Sequence, residues 1–336
     1  MSALNRQWKV AAKPEGRLAT AHFALDAVDR PQVADGQVLT RVLWLSIDAA
    51  ARAWLQANTY RRVLQIGDVM PGFAIAQVIE SRCEQFRAGD VVTGDLGWQD
   101  FAAAEPDRLE QIVPRQPLSN YLSVLGITGL TAYFGLLETG EAKAGDTVVI
   151  SAAAGATGSV AGQIAKLLGC RVVGICGSPE KQAWLTEELG FDAAVSHLDP
   201  TCRDALRAAC PGGVDVYFDN VGGPVLETVL GLMAHGGRIT CCGVVSQYDT
   251  TAPATGPRGV PGMLILKHLT MRGFLLPDYA DRFAAALEVL EGWLKDGSLT
   301  PVEDILQGLE AAPDGLVGLL NGANIGKRMV HVADPS

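Results

Sequence analysis

One stretch, residues 147–163, constrains the fold of this chain more than any other. It consists of a short β-branched apolar run, a turn of small residues and the start of a helix, in the order TVVISAAAGATGSVAGQ. The run is typical of a buried parallel strand. The helix carries an apolar face and ends at Gly169; the face is formed by Val160, Ile164, Leu167 and Leu168. This succession predicts the first strand-to-helix unit of a parallel α/β sheet.

The turn between strand and helix has the spacing of a dinucleotide-binding fingerprint, A-x-G-x-x-G, beginning at Ala153. Free backbone N–H groups and the helix dipole both favour an anion at such a turn. Gly155 would let the backbone approach a pyrophosphate, and Gly158 would let the helix pack closely on the strand. The pattern therefore predicts a dinucleotide site; a tight strand-to-helix turn without a ligand is the alternative.

Strands and helices alternate after residue 145, whereas the region before it is β-rich. Six strands with intervening helices predict a doubly wound parallel sheet that binds ligands at the carboxyl ends of its strands. The predicted strands are Thr147–Ile150, Arg171–Cys176, Ala193–Val195, Val214–Phe218, Gly237–Gly243 and Leu269–Phe274. Residues 1 to about 125 predict an all-β module, with strands at Gln37–Leu45, Phe73–Glu80 and Asp90–Thr93. The tail from Gly297 onward is expected to rejoin that module.

The end of the second predicted strand bears on which dinucleotide binds. An NAD enzyme usually has Asp or Glu there for the ribose 2′-hydroxyl. This chain has Cys176-Gly177-Ser178 instead, and Lys181 follows three residues later. The missing carboxylate removes repulsion against a 2′-phosphate and a nearby lysine attracts it, which favours NADP. A solvated lysine in the first turn of a helix is the alternative for Lys181.

Composition and charge exclude several classes of function. With 336 residues, 48% of them hydrophobic, the chain can form two domains with their own cores. A net charge of −10 without a run of Lys or Arg argues against nucleic acid and anionic membranes as partners. No apolar segment reaches the ~18 residues of a membrane span, and the N-terminus lacks the apolar core of a signal peptide. We therefore expect a soluble cytoplasmic protein.

Neither cysteine nor histidine spacing indicates a metal site. The seven cysteines are scattered without a C-x-x-C pair, and the five histidines are dispersed. Reduced, mostly buried thiols are expected, with no bound metal.

Several motifs together resemble the zinc-independent medium-chain reductases. These are SAAAGATGSVAGQIAK at 151–166, GSPEK at 177–181, YFDNVGG at 217–223, CGVVSQY at 242–248 and NIGK at 324–327. The chain is most similar to the leukotriene B4 dehydrogenase/prostaglandin reductase group, with its plant double-bond reductases and bacterial curcumin reductases. The resemblance implies a GroES-like β-rich catalytic domain (1–125 and 298–336), a Rossmann NADP-binding domain (126–297) and a homodimer. It also implies NADPH-dependent reduction of the C=C bond of α,β-unsaturated aldehydes and ketones.

The resemblance also implies which residues contact the cofactor. At the pyrophosphate the matching positions are Gly155, Ala156, Thr157 and Gly158, and near the 2′-phosphate they are Ser178 and Lys181. Along the rest of the dinucleotide they are Asn220, Cys242, Gly243, Val244, Val245, Ser246, Gln247, Tyr248, Phe274, Leu275, Leu276 and Asn324. Where the family usually has a tyrosine on the 2′-phosphate, this chain has His197. An imidazole can donate the same hydrogen bond, but it makes a pH-dependent NADP preference possible.

Other departures from the family concern the expected substrate pocket. The family's Ser-x-Asp-Pro-Tyr-x-Arg segment is SIDAAAR at residues 46–52, so a roomier pocket is expected. Trp54 and Tyr60 are candidates for its wall, with plain core or lid residues as the alternative. Zinc-dependent relatives have a cysteine near position 46 and a Gly-His-Glu motif near 67–72; here Ser46 and Gly67-Asp68-Val69 supply no ligand set. The predicted mechanism is therefore metal-independent.

Without a metal, side-chain donors have to stabilise the enolate that forms when hydride adds to the β-carbon. Tyr248, at the end of the CGVVSQY run, is the predicted donor to the carbonyl oxygen; a tyrosine that only packs against the cofactor is the alternative. Two other functions remain open: a quinone reductase on the same scaffold, and a non-catalytic NADPH-binding protein of the crystallin type.

Overall fold

The computed structural model describes residues 4–250 and 256–336. Its residues form two compact units. The first comprises the chain up to Leu122, Glu303–Ala323 and the chain from Arg328 onward; the second comprises Ser123–Val302 and Asn324–Lys327. None of the described helices is long and apolar enough to cross a lipid bilayer.

The N-terminal part of the first unit is built of strands, as predicted. In chain order they are β1 (Asn5–Val10), β2 (Phe23–Val28), β3 (Val38–Ser46), β4 (Phe73–Ser81), β5 (Val91–Asp95), β6 (Phe101–Ala104) and β7 (Glu110–Ile112). One short helix, α1 (Ala51–Trp54), follows β3. β1 and β2 form an antiparallel pair, and β3 pairs antiparallel with both β4 and β6. Alternate apolar residues of β3 and β4, such as Val42 and Ala76, are completely buried in the core of this unit.

The second unit is a six-stranded parallel sheet with helices between its strands. The strands are β8 (Thr147–Ser151), β9 (Arg171–Cys176), β10 (Ala193–Ser196), β11 (Val214–Asp219), β12 (Met233–Cys241) and β13 (Thr270–Gly273). The helices are α2 (Ile127–Phe134), α3 (Ala156–Leu167), α4 (Pro179–Glu187), α5 (Cys202–Ala209), α6 (Gly223–Leu230), α7 (Val260–Lys267) and α8 (Phe283–Lys295). The spatial order β10-β9-β8-β11-β12-β13 is that of a doubly wound Rossmann sheet. The predicted fold class is thus confirmed.

The C-terminal elements complete the first unit's sheet. They are β14 (Glu303–Gln307), α9 (Ala312–Leu320) and β15 (Lys327–His331). β15 pairs antiparallel with β3, giving the order β14-β15-β3-β4-β5-β7.

Two short segments that the sequence assigned to the catalytic domain, 298–302 and 324–327, pack with the second unit instead. Gln163 on α3 exchanges two hydrogen bonds with Thr300, at 2.9 and 3.1 Å. The backbone N–H of Gly326 donates to the Ala154 carbonyl over 2.8 Å. These contacts lie between residues more than a hundred positions apart, and local sequence patterns do not reveal them.

Helix α3 lies against the sheet along the face that was predicted, apart from its last turn. Val160 and Ile164 are buried, whereas Leu167, the last residue of the helix, is 41% exposed. A methyl group added at Gly162 would lie 1.9 Å from the Phe191 ring. The absence of a side chain at Gly162 therefore sets how closely α3 and the residues before β10 pack.

We expect Gly162→Ala to lower the melting temperature. Alanine favours a helix by about 1 kcal/mol over glycine, but overpacking against an aromatic ring costs about 1–3 kcal/mol. Gly292→Ala in α8 is the matched control, because a methyl group there meets open space, and it should raise the melting temperature slightly. Thermal denaturation followed by circular dichroism measures both. A Gly162→Ala protein as stable as the control would contradict the close packing.

Candidate functional site

The turn between β8 and α3 fits an anionic group. The N-cap residue of α3 is Gly155, which has no side chain of its own to bond the N–H groups of the helix's first turn. A methyl group at Gly158 would lie 2.4 Å from the Ala152 carbonyl oxygen, so only glycine allows this approach. Ala152 itself has a φ of 49°. The geometry agrees with the predicted pyrophosphate site at residues 155–158, whose Ala156 and Thr157 lie in the first helical turn.

Asn324 and Gly326 lie next to this turn. Gly326 forms a parallel bridge with Gly155, and its carbonyl accepts a 2.8 Å hydrogen bond from Asn324 Nδ2. Gly326 has a φ of +73°, and a methyl group there would lie 2.3 Å from the Val302 carbonyl oxygen. The amide of Asn324 is buried and holds the backbone beside the glycine-rich turn, which is a structural role in addition to the predicted cofactor contact.

The predicted 2′-phosphate residues meet at the carboxyl end of β9. Ser178 is the N-cap of α4, and its hydroxyl accepts a 3.4 Å hydrogen bond from the Lys181 backbone N–H. The Cys176 carbonyl accepts two hydrogen bonds from His197, one from the backbone N–H at 3.0 Å and one from Nδ1 of the ring at 2.7 Å. Burial raises the pKa of the Cys176 thiol, while the Lys181 ammonium acts in the opposite direction. Lys181 and His197 therefore both lie at the end of this strand.

A buried carboxylate that the sequence analysis did not single out joins the ends of β8 and β11. Asp219 is 2% exposed. Its Oδ1 atom accepts four hydrogen bonds, from the hydroxyls of Ser151 (3.1 Å) and Tyr217 (2.8 Å) and from the backbone N–H groups of Val221 (3.0 Å) and Gly222 (2.9 Å). Burial and this carboxylate raise the pKa of the Tyr217 phenol well above its ordinary value. The available signal was an aspartate at a strand end immediately before Asn-Val-Gly-Gly.

Asn220 is held by Ser151 on the neighbouring strand. Its backbone N–H donates to the Ser151 hydroxyl over 2.9 Å, and its Nδ2 donates to the Ser151 carbonyl over 2.7 Å. Ser151 therefore accepts hydrogen bonds from the backbone N–H and from Nδ2 of Asn220. The predicted cofactor contact has to use the remaining hydrogen-bonding capacity of the side chain.

The segment 242–248 after β12 is bound to the end of β11 through backbone groups. The N–H groups of Cys242 and Gly243 donate to the Asp219 carbonyl at 2.8 and 3.0 Å. Further along, the Val245 N–H donates to the Asn220 carbonyl at 3.3 Å, and Ser246 donates to the Val221 carbonyl at 2.6 Å through its hydroxyl and 3.1 Å through its N–H. A methyl group at Gly243 would lie 2.9 Å from the Asn220 carbonyl oxygen. Seven predicted cofactor residues therefore belong to one anchored turn: Cys242, Gly243, Val244, Val245, Ser246, Gln247 and Tyr248.

Tyr248 closes that turn with its phenol partly buried. Its backbone N–H donates to the Val245 carbonyl over 3.1 Å. Burial raises the pKa of the phenol, and a hydrogen bond with the Val244 backbone counteracts this only in part. Tyr248 therefore keeps its proton at neutral pH and is able to donate a hydrogen bond.

The thiols of Cys241, at the end of β12, and Cys242, the first residue of this turn, are weak nucleophiles. Burial, reinforced by the Asp219 charge, raises the pKa of Cys241 to about 11 and that of Cys242 to about 12. Both stay protonated at neutral pH.

The last predicted cofactor residues follow β13. The Phe274 ring packs against Gly135, where an added methyl group would lie 2.7 Å from its Cζ atom. Leu275 is 54% exposed, and Leu276 begins a 3₁₀ turn. The six groups of residues following β8, β9, β10, β11, β12 and β13 lie at the carboxyl edge of one parallel sheet.

The two predicted pocket residues of the first unit contact each other. Trp54 Nε1 donates a 3.2 Å hydrogen bond to the Tyr60 hydroxyl, and the rings meet edge to face at 6.2 Å. Trp54 is 6% exposed, whereas Tyr60 is 68% exposed. The Arg61 guanidinium lies 4.7 Å from the Trp54 ring centre and forms an ion pair with Asp95. Their predicted place in a substrate pocket stays a prediction.

Within the described parts of the chain, no group of three or more His, Cys, Asp or Glu side chains is arranged to hold a metal ion. The residues that stand where zinc-dependent relatives have ligands have other partners. Ser46 donates to the Asp48 carboxylate over 2.5 Å, and Asp68 accepts from the Gln65 N–H over 2.7 Å.

Comparison with known proteins identifies the family. Residues 6–112 match a model described as the N-terminal domain of oxidoreductase, and residues 156–292 match one described as zinc-binding dehydrogenase. The chain is 39% identical to the NADPH-dependent curcumin reductase of Escherichia coli, over 98% of this chain and 97% of that protein. It is 38% identical to bovine (Bos taurus) prostaglandin reductase 1, over 97% of this chain and 98% of that protein.

A solved structure agrees with these similarities. CurA from Vibrio vulnificus in complex with NADPH superposes with a TM-score of 0.94 at 39% identity, over 98% of this chain and all of that one. The chain belongs to the zinc-independent medium-chain reductases, the family of the curcumin, prostaglandin and 2-alkenal reductases.

Proposed function

We propose that this NADP-dependent oxidoreductase reduces the C=C bond of α,β-unsaturated ketones and aldehydes, with Tyr248 as the donor that stabilises the enolate. The observation that carries the proposal is the place of Tyr248 on a turn that backbone hydrogen bonds anchor to the end of β11, at the carboxyl edge of the parallel sheet. The names of the relatives support the same substrate class, since they include a curcumin reductase and a 2-alkenal reductase.

In this proposal some residues bind the cofactor, and Tyr248 takes part in the chemical step. The first turn of α3 holds the pyrophosphate, and Lys181 adds positive charge for the 2′-phosphate. NADPH, when bound, would supply the hydride for the β-carbon of the substrate. Negative charge then develops on the carbonyl oxygen, where the Tyr248 hydroxyl donates its hydrogen bond. A proton from water then adds to the α-carbon of the enolate and gives the saturated product.

Anchoring makes Tyr248 an effective donor. A donor that is already oriented stabilises developing charge without reorganisation, whereas a mobile one has to be ordered first. The backbone hydrogen bonds from residues 242–246 to the Asp219, Asn220 and Val221 carbonyls restrict the turn. The raised pKa of the phenol keeps the proton on Tyr248 in the ground state, so the oxyanion meets a hydrogen-bond donor and not a phenolate.

Removing the hydroxyl tests this role. Tyr248→Phe should lower kcat for an enone about 10²–10³-fold, by analogy with the loss of one oxyanion-hole donor. KM and NADPH affinity should change little, because the lost interaction belongs to the transition state. Steady-state kinetics and NADPH fluorescence titration measure the two effects.

Tyr133→Phe is the matched control in the same unit, because the Tyr133 ring packs on Phe134 and Trp293. It should leave kcat unchanged. An unchanged kcat with weaker NADPH binding in Tyr248→Phe would show that Tyr248 only packs against the cofactor. A loss of kcat near tenfold in Tyr248→Phe would mean that another donor provides most of the enolate stabilisation.

Lys181→Ala tests the 2′-phosphate site. Loss of a charge-assisted hydrogen bond should weaken NADPH about 10- to 100-fold and leave NADH nearly unchanged. Lys166→Ala is the control, because it removes the same charge from the opposite edge of the sheet, where Lys166 pairs with Asp192 at 2.9 Å. Equal losses for NADPH and NADH in Lys181→Ala would make the lysine structural.

We also propose that the protein is a homodimer. β13 pairs with β12 on one side and with no other described strand, and an open strand edge can pair with a second copy. Ile265 and Leu266 on α7 are 73% and 75% exposed, an apolar surface next to that edge in the sequence. Light scattering should give twice the chain mass, and Ile265→Glu should shift it toward the monomer. A monomeric wild-type protein would contradict the proposal.

A further inference from the structure

His197 is held in one tautomer by the end of β9. The carbonyl oxygen of Cys176 can only accept, so the Nδ1 atom 2.7 Å from it carries a proton. The same carbonyl accepts the His197 backbone N–H at 3.0 Å, so backbone and ring are both fixed to one atom. In the neutral imidazole the second nitrogen, Nε2, is therefore without a proton.

This tautomer cannot donate to an anion while it is neutral. Nε2 then presents a lone pair, which repels a phosphate oxygen. A second proton converts Nε2 into a donor and gives the ring a positive charge, so that binding of an anion and protonation favour each other.

The ring lies where a 2′-phosphate is expected. In a Rossmann sheet the end of the second strand, here β9, faces the ribose of the adenosine. The His197 Cε1 atom lies 3.3 Å from the position of a methyl group added at Gly177, so the ring passes over this glycine. Lys181 follows in the first turn of α4, and its charge acts on the Cys176 thiol.

We propose that His197 makes discrimination between NADPH and NADH depend on pH. The protonated ring and Lys181 hold the 2′-phosphate together, and the neutral ring leaves Lys181 to hold it alone. The proposal rests on the NADP site described above and goes beyond it by assigning a pH-dependent specificity to one residue.

The other groups at this strand end do not change charge near neutral pH. Burial raises the pKa of Cys176, so that the thiol stays neutral. The Ser178 hydroxyl lowers the pKa of Glu180, and hydrogen bonds from Thr201 lower that of Asp199, so both carboxylates stay ionised. Lys181 contributes a positive charge throughout. Histidine is the side-chain type whose charge ordinarily changes between pH 5 and 8, and His197 is the histidine at this strand end.

The test measures binding of adenosine 2′,5′-bisphosphate and of 5′-AMP by calorimetry. These fragments report on the 2′-phosphate without the nicotinamide, so the result is independent of Tyr248 and of turnover. From pH 8.5 to 6.5 the ratio of the two affinities should rise about tenfold, the lower end of the range for one charge-assisted hydrogen bond. The 2′-phosphate itself titrates near pH 6, and the variants correct for this.

Two substitutions separate the two ring nitrogens. His197→Asn keeps an N–H for the Cys176 carbonyl but has no group at Nε2, whereas His197→Gln places a neutral donor near the Nε2 position. Both should lose the rise in the ratio, and His197→Gln should bind the bisphosphate more tightly than His197→Asn. Lys181→Ala should lower affinity at every pH and keep the rise.

Nitrogen-15 NMR of the wild-type protein tests the tautomer directly and does not depend on a variant that folds. Above pH 8 the spectrum should show the proton of His197 on Nδ1. A proton on Nε2 would overturn the proposal, as would an equal rise in wild type and His197→Gln. The protein could bind NADPH and reduce enones while the ratio of bisphosphate to 5′-AMP affinity stays the same at every pH. In that case the proposed function stands and this inference fails.

Discussion

The proposed site depends on the hydrogen bonds that the buried carboxylate of Asp219 accepts. A buried charge is costly unless it is fully hydrogen-bonded, and this one is satisfied by four donors from two neighbouring strands and the following turn. The backbone carbonyl of the same residue accepts hydrogen bonds from the N–H groups of Cys242 and Gly243. One residue therefore links the end of β8, the end of β11 and the turn that carries Tyr248.

The same junction explains why chemistry without a metal is feasible here. A metal-free reductase has to orient neutral donors in advance, since it has no ion to polarise the substrate. In this protein the orientation comes from the backbone: Gly243 and Gly223 allow the turn to lie against residues 220–222 where side chains would collide. In the proposed mechanism, side-chain identity then matters mainly at Tyr248, whose pKa is raised by burial.

The sequence predicted what depends on local pattern. The small-residue turn, the six parallel strands and the NADP preference all follow from runs of a few residues, and the fold and the family are confirmed. It did not predict the Asp219 junction, since Ser151 and Asp219 are 68 positions apart and an aspartate at a strand end has many possible partners. The sequence also did not predict the tautomer of His197, because the tautomer depends on a hydrogen bond to a carbonyl oxygen 21 positions away. The cofactor and pocket residues named from the resemblance stay predictions until binding is measured.

The position of the transferred hydride in the product distinguishes reduction of the C=C bond from reduction of the carbonyl group. The enzyme, treated with a chelator, is incubated with benzalacetone and NADPH deuterated at its hydride-donating carbon, and the product is analysed by NMR. We expect the saturated ketone with one deuterium on its β-carbon. An allylic alcohol with deuterium on the former carbonyl carbon would contradict this expectation. An enzyme that consumes NADPH with quinones but with no enone would contradict it as well.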